Sequence, residues 1–221
     1  MELFGIIYKP STLLDDGQKE SSSTYYIPCM ICKTASVEEM YKVFSVKNDK
    51  CISTPWLCIE FKFMPLDFFN HILCYYIKQY QICPEPSTKR EAVYHGMGVF
   101  YLDKTKLRKF VLCFSKNTIA IQLWQWKTVE QGKYREIMEE LMKVMQIVIK
   151  KFETRSVSYL VKLKCSDGHI HNSLGRFTYN ELVELGNEYF CEDHYACHNT
   201  TEFFQTWFKH YSEELQAQEE F

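Results

Sequence analysis

Five residues late in the chain have the types and spacing of a metal site: Cys165, His169, His171, Cys191 and His194. Zinc takes four thiolate or imidazole ligands at the corners of a tetrahedron. Cys191-Glu-Asp-His194 leaves a two-residue gap, which lets one turn present two ligands. Cys165 with His169 or His171 supplies the other pair from upstream. The set read from the sequence is Cys165, His169, Cys191 and His194, with zinc as the ion, and Cys197 and His198 compete for the same corners. The other reading of this stretch is a surface loop with free imidazoles and a half-buried thiol.

The remaining thiol chemistry is less promising. Ten cysteines in a reducing compartment serve mainly as small buried hydrophobes. Cys58, Cys74 and Cys113 fit that use, because each lies inside an apolar strand or helix pattern. Cys29-Met30-Ile31-Cys32 has the spacing of a redox pair, but redox chemistry needs the first thiol at a helix N-terminus. Residues 25 to 32, YYIPCMIC, read as a strand, which would turn the two thiols to opposite faces. A thiol hydrolase needs a nucleophile elbow or a cysteine-bearing glycine turn, and neither motif occurs. His71 and His95 read as histidines within an apolar helix and beside a glycine in a strand. The expectation is therefore a non-catalytic protein, with a thiol-dependent hydrolase as the remote alternative.

Composition narrows the classes further. The chain has 221 residues, 46% hydrophobic and 16% aromatic, enough apolar surface for one core without staples. A formal net charge of −2 offers no basic field for a phosphate backbone, so nucleic acid is not an expected partner. No apolar run approaches the roughly 18 residues that span a bilayer. The start, MELFGIIYKP, lacks a basic segment followed by a cleavable apolar one, so the expected location is the cytoplasm.

Periodicity then places the elements. ELFGIIYKP reads as a short strand stopped by Pro10, followed by a polar loop over residues 15 to 23 and, after the strand at 25 to 32, a polar stretch through Lys50. From Trp56, Leu57, Ile59, Phe61 and Phe63 alternate with Glu60 and Lys62, the pattern of a strand. Pro65 and Asp67 open a helix whose apolar stripe is Leu66, Phe69, Leu73 and Ile77. Residues 83 to 92 are a loop, and Val93 to Leu102 a strand in which Gly96 and Gly98 admit a bulge or a close neighbour. FVLCFSKNTIAIQLWQW, residues 110 to 126, is a hairpin turning at Lys116-Asn117, with one wet and one buried face. Residues 134 to 152 are the longest helix, lined by Ile137, Leu141, Met145, Val148 and Phe152. VSYLVKLKC is a further strand, and a last helix from Thr200 to about Gln216 carries Phe203, Phe204, Trp207, Phe208 and Tyr211, which either close the core or enter a partner's groove.

The hairpin also supplies the candidate protein-contact surface. Trp124 and Trp126 share a face with Ala120 and Gln122, and Lys116 and Asn117 form the tip. Tryptophan is enriched at contact centres. The alternative is that the two indoles pack beneath the long helix.

Taken in order, YYIPCMICK, WLCIEFKFMPLDFFNHILCYYI, YHGMGVFYLD and FVLCFSKNTIAIQLWQW with its following helix resemble the second half (COR-B) of a COR domain, the companion of the Ras-like GTPase in Roco proteins. FGIIYKP resembles the end of the domain's first half, and the YFCEDH-like tail resembles the segment C-terminal to the COR domain in some invertebrate Roco proteins. The resemblance implies a dimerisation and regulatory module in intracellular signalling, whose partner is a second copy or a Roc-like GTPase domain of a longer chain. The phosphate-cradling G-x-x-x-x-G-K-[ST] of the GTPase itself is absent. The expected fold is α+β: a mixed, mostly antiparallel sheet packed by two amphipathic helices, with a small C-terminal annex. The expected division is 1–24 as the end of a preceding subdomain and a loop, 25–155 as the COR-B-like domain, and 156–221 as the annex.

Overall fold

The computed structural model describes residues 11–13, 19–21, 25, 27–48, 50–126, 134–152 and 157–208. Two short strands come first, β1 (Ser11–Leu13) and β2 (Lys19–Ser21), then a 3-10 turn at Pro28–Met30 and helix α1 (Val37–Val43). Next are β3 (Cys51–Ser53), β4 (Trp56–Phe61), α2 (Leu66–Gln79), β5 (Val93–Tyr94), β6 (Met97–Tyr101), β7 (Arg108–Ser115) and β8 (Thr118–Trp126). The rest is α3 (Arg135–Lys151), β9 (Tyr159–Lys164), β10 (Arg176–Phe177), α4 (Tyr179–Leu185), β11 (Glu188–Cys191), β12 (Ala196–Asn199) and α5 (Thr201–Trp207). Eight strands make one sheet in the order β10-β9-β4-β8-β7-β6-β5, with β3 also on β8. Every described pairing is antiparallel, so the α+β class holds with no parallel pair among the described residues.

The hairpin forms as its alternation requires. Ser115 pairs with Thr118 across Lys116-Asn117, and the register runs to Arg108 opposite Gln125. Lys116 takes a positive φ of 53° to make the two-residue turn. Helix α2 starts behind Pro65 with Asp67 in its first turn, and α3 carries Glu136 in its first turn and Lys150 and Lys151 in its last, each matching the helix dipole. Phe69, Leu73 and Ile77 of α2 and Ile137, Leu141, Met145 and Val148 of α3 are buried with Leu57, Ile59, Phe110, Leu112, Ile119 and Ile121 of the sheet. The aromatic stripe of α5 closes this same core through Phe203 and Trp207, with Phe208 just beyond it. The Trp207 indole N–H donates to the Pro55 carbonyl at 3.1 Å, and Tyr211 lies outside the described residues.

The sheet has no wet face over its central strands, which corrects the two-sided reading of the hairpin. Trp56, Cys58, Val99, Val111, Cys113, Ala120 and Trp124 form a second core with Val37, Met40 and Phe44 from α1 and its end. That helix occupies the stretch read as merely polar. Its start is a capping box: the Ser36 side chain accepts from the Glu39 N–H at 3.1 Å, and the Glu39 carboxylate accepts from the Ser36 N–H at 2.7 Å. Phe63, read as an inward residue, is 75% exposed, because β4 ends at Phe61.

Three local expectations change. The described residues of 25 to 32 form no strand: Pro28, with its fixed φ and missing N–H, starts the 3-10 turn instead. Val93 to Leu102 is two strands, since Gly96 at φ +77° turns β5 back onto β6. Lys19–Ser21, inside the expected polar loop, pairs with Ser11–Leu13, because a ladder is made by backbone groups and needs no apolar side chains. The expected strand before Pro10 lies outside the described residues.

A buried carboxylate fastens the 83–92 loop. Glu85 accepts from the Lys33 ammonium at 2.5 Å, the Thr88 hydroxyl at 2.7 Å and the Tyr94 hydroxyl at 2.5 Å. The Lys33 contact first, then the two hydroxyls, hold its carboxyl at about 2, well below the usual carboxylate range.

Candidate metal centre

Cys165, Cys191, His194 and His198 converge so that one ligand atom from each lies within 4.8 Å of the others, and this cluster can hold a metal ion. Cys165 follows the last residue of β9, a strand held between β4 and β10 in the main sheet. The other three come from the β11–β12 hairpin. Cys191 ends β11 opposite Ala196, His194 lies in the connecting turn, and His198 sits in β12 opposite Tyr189. Tyr195 closes the turn at φ +56°. Cys165 Sγ is 3.5 Å from Cys191 Sγ and 3.6 Å from His194 Nδ1, and His194 Nε2 is 2.6 Å from His198 Nε2.

Three of the four expected ligands therefore come together, and His169 does not. It is largely exposed, with Nδ1 3.3 Å from Glu38 of α1 and its backbone N–H donated to Asp193 at 2.6 Å. His198 stands instead where a fourth ligand would be. Strand pairing decides this: residues two apart share a face, so the register that sets Cys191 against Ala196 brings His198 to the same side. His171 is engaged elsewhere, with Nδ1 2.8 Å from the Ser115 hydroxyl, and Cys197 is exposed.

The surroundings suit a metal. Both thiols are buried, and the two histidines are half-buried on the solvent side. Burial first, then Cys191, pushes the Cys165 thiol up to about 12, so without an ion it stays protonated; a metal's charge reverses that preference. The Tyr189 hydroxyl is buried with no hydrogen-bond partner of good geometry and lies beside Cys165, where it favours the thiolate. Burial first, then the neighbouring His194, lowers the His198 imidazole below its usual value and keeps it in the neutral form that ligation requires. Gly175, at φ +68°, passes so close that a Cβ there would sit 3.1 Å from Cys191 Sγ.

A buried ion pair fixes the frame around these ligands. The Lys164 ammonium, fully buried, bonds Asp193 at 2.8 Å and the carbonyls of Asn172 and Leu174 at 3.2 and 2.5 Å. Burial would raise the Asp193 carboxyl, but Lys164, the His169 N–H and the Asn172 amide outweigh it and hold the group below its usual range. Arg176 then ties this region to the main sheet: it donates to Glu60 of β4 at 3.1 Å, Thr118 of β8 at 2.8 Å and the Ile170 carbonyl at 2.5 Å. The boundary expected at residue 156 thus falls before a strand that belongs to the main sheet, and after it only β11–β12 forms a sheet of its own among the described residues.

The expected contact surface is placed differently. Trp124 is fully buried, with its ring centroid 5.8 Å from Tyr41 and 6.0 Å from Phe44, so it is a core residue under α1. The pleat explains this, because the face it shares with Ala120 and Gln122 is the one α1 covers. Trp126, at the strand end, is half-buried with the Lys109 ammonium 3.9 Å from its ring centre. At the tip Lys116 is exposed, while the Asn117 amide donates to the Lys62 carbonyl at 3.1 Å. Cys29 and Cys32 lie exposed around the 3-10 turn. No described helix is long and apolar enough to cross a membrane.

No protein-family model matches the chain, and no curated protein matches it either.

Proposed function

We propose that this protein is a non-catalytic interaction module, COR-B-like in organisation, whose C-terminal annex is held closed by a structural zinc ion. The observation that carries the reading is the composition of the ligand set: two sulfurs and two nitrogens, all from the protein. Catalytic zinc keeps one position open for water or substrate, whereas structural zinc is closed by four side chains. Mixed thiolate and imidazole ligands in a tetrahedron favour zinc over harder cations. Zinc bond lengths of about 2.3 Å to sulfur and 2.0–2.1 Å to nitrogen give tetrahedral edges of about 3.8 Å between sulfurs and 3.5 Å between sulfur and nitrogen. The observed 3.5 and 3.6 Å need only small adjustment to fit. An imidazole gives an ion one nitrogen, so His194 binds through Nδ1, beside Cys165, or through Nε2, 2.6 Å from His198 Nε2, and one ligand atom from each of the four residues already lies within 4.8 Å of the others.

Such an ion would link the end of β9 to the β11–β12 hairpin, and through α5 would support the core beneath α3. The role of the assembled domain is docking in an intracellular, cytoplasmic signalling assembly: to a second copy of itself, or to a Ras-like GTPase domain whose nucleotide cycle it modulates. The order of the four sequence blocks supports this part of the proposal. Size-exclusion chromatography with light scattering tests it. The expected mass is twice the 26.4 kDa of one chain at micromolar concentration. A single-chain mass throughout the concentration range would contradict self-association and favour the second reading, a stand-alone zinc-stabilised adaptor, to which the closed ligand set also points.

A further inference from the structure

The geometry points to an oxidation site at the same centre: we propose that hydrogen peroxide, or another hydroperoxide, converts Cys165 and Cys191 into a disulfide and thereby expels the metal. The inference rests on the zinc reading above. The two sulfurs are 3.5 Å apart, and they come from segments 26 positions apart in sequence. That separation has to close to the roughly 2 Å of a disulfide. His194 and His198, half-buried, form the solvent side of the centre, and a peroxide molecule is little larger than water.

The chemistry balances. One thiolate attacks a peroxide oxygen, the O–O bond breaks, and a sulfenic acid and hydroxide form. The second sulfur attacks the sulfenic sulfur, the S–S bond forms, and a second hydroxide leaves. Two protons from solvent convert both hydroxides to water. The thiolates lose two electrons, and the peroxide gains them. Two of the four ligands are then consumed, and two histidines alone do not retain the ion. The disulfide still joins the end of β9 to β11, so the oxidised protein keeps a cross-link at this centre where the reduced, metal-free protein has none there. Oxidation therefore exchanges a metal staple for a covalent one and frees both imidazoles.

The experiment uses the full chain, purified in a mild reductant that is then removed, with zinc measured first. Titration with hydrogen peroxide is followed by a chromogenic zinc chelator and by peptide mapping without reduction. The expected result is one equivalent of zinc released per Cys165–Cys191 disulfide formed, with rebinding after dithiothreitol and zinc are supplied. The Cys197→Ser variant, altered at an exposed thiol outside the cluster, should release zinc with the same stoichiometry. Thermal midpoints should rank zinc-bound above oxidised, and oxidised above reduced metal-free protein. Release accompanied by sulfinic acids or by disulfides to Cys197 would overturn the proposal, as would zinc retained while only exposed thiols react. Protein that holds no zinc before peroxide is added would instead refute the zinc reading, and that outcome is distinguishable at the first step.

Discussion

Cys191→Ser is expected to abolish zinc binding and lower the thermal midpoint by roughly 8–16 °C. An ion present at about 1,000 times its Kd stabilises the folded state by about 4 kcal/mol, and each kcal/mol moves the midpoint of a chain this size by about 2–4 °C. Serine is close in size, so the loss comes from the metal and from a buried hydroxyl placed among Cys165, Gly175 and His194. Two controls separate those terms. Wild-type protein stripped by a strong chelator should melt near the variant, and the chelator should not move the variant further. Cys197→Ser, an exchange of the same chemistry at an exposed site, should leave the midpoint within about 1–2 °C of wild type, as expected for a surface change. A Cys191→Ser protein that keeps one zinc, or loses no more stability than Cys197→Ser, would show that the cluster is not a metal site.

Trp124→Ala is expected to cost about 3–5 kcal/mol in denaturant unfolding, the range for truncating a large aromatic in a packed core. The indole is fully buried, and its N–H donates to Gln122 at 3.0 Å. The same Gln122 oxygen accepts from the Tyr41 hydroxyl at 2.7 Å, and its amide donates to the carbonyls of Thr54 and Ser166, each at 2.9 Å. Removing the ring opens a cavity beneath α1 and loosens a network that reaches the segment next to Cys165. The effect should therefore lie toward the upper end of the range. Trp126→Ala should cost far less, since that ring is half-buried at the strand end, at the edge of the second core, with the Lys109 ammonium over it. If both indoles were instead an exposed docking platform, Trp124→Ala would leave the unfolding midpoint unchanged and weaken only self-association.

The sequence carried some of this architecture openly. Apolar runs on either side of Lys116-Asn117 identified β7 and β8, and Pro65 with Asp67 marked the start of α2, because these signals are local. The second core was hidden for a physical reason. Its sheet face carries Trp56, Cys58, Val99, Val111, Cys113, Ala120 and Trp124, so the central strands are apolar on both sides, and an apolar run does not say which element covers each face. The helix that covers it has seven residues, too few for a periodic stripe, so its only strong local mark is the capping box at Ser36 and Glu39. The candidate metal cluster was three-quarters legible, since the two-residue gap between Cys191 and His194 is itself a local signal. The fourth ligand depends on strand register, and spacing alone cannot choose His198 over His169 until β11 and β12 are paired. His169 is near in sequence to Cys165, yet its backbone is turned to Asp193 and its ring to Glu38. The annex was likewise separable in sequence but not in space, because β9 lies between β4 and β10.

Zinc K-edge X-ray absorption on the chain, purified without chelator and quantified for metal, addresses the closed-centre claim most directly. The expected spectrum shows one zinc per chain with two sulfur neighbours at about 2.3 Å and two nitrogen neighbours at about 2.0–2.1 Å. No bound metal, or a first shell with only three protein ligands and a water oxygen, would contradict a structural zinc centre built from Cys165, Cys191, His194 and His198.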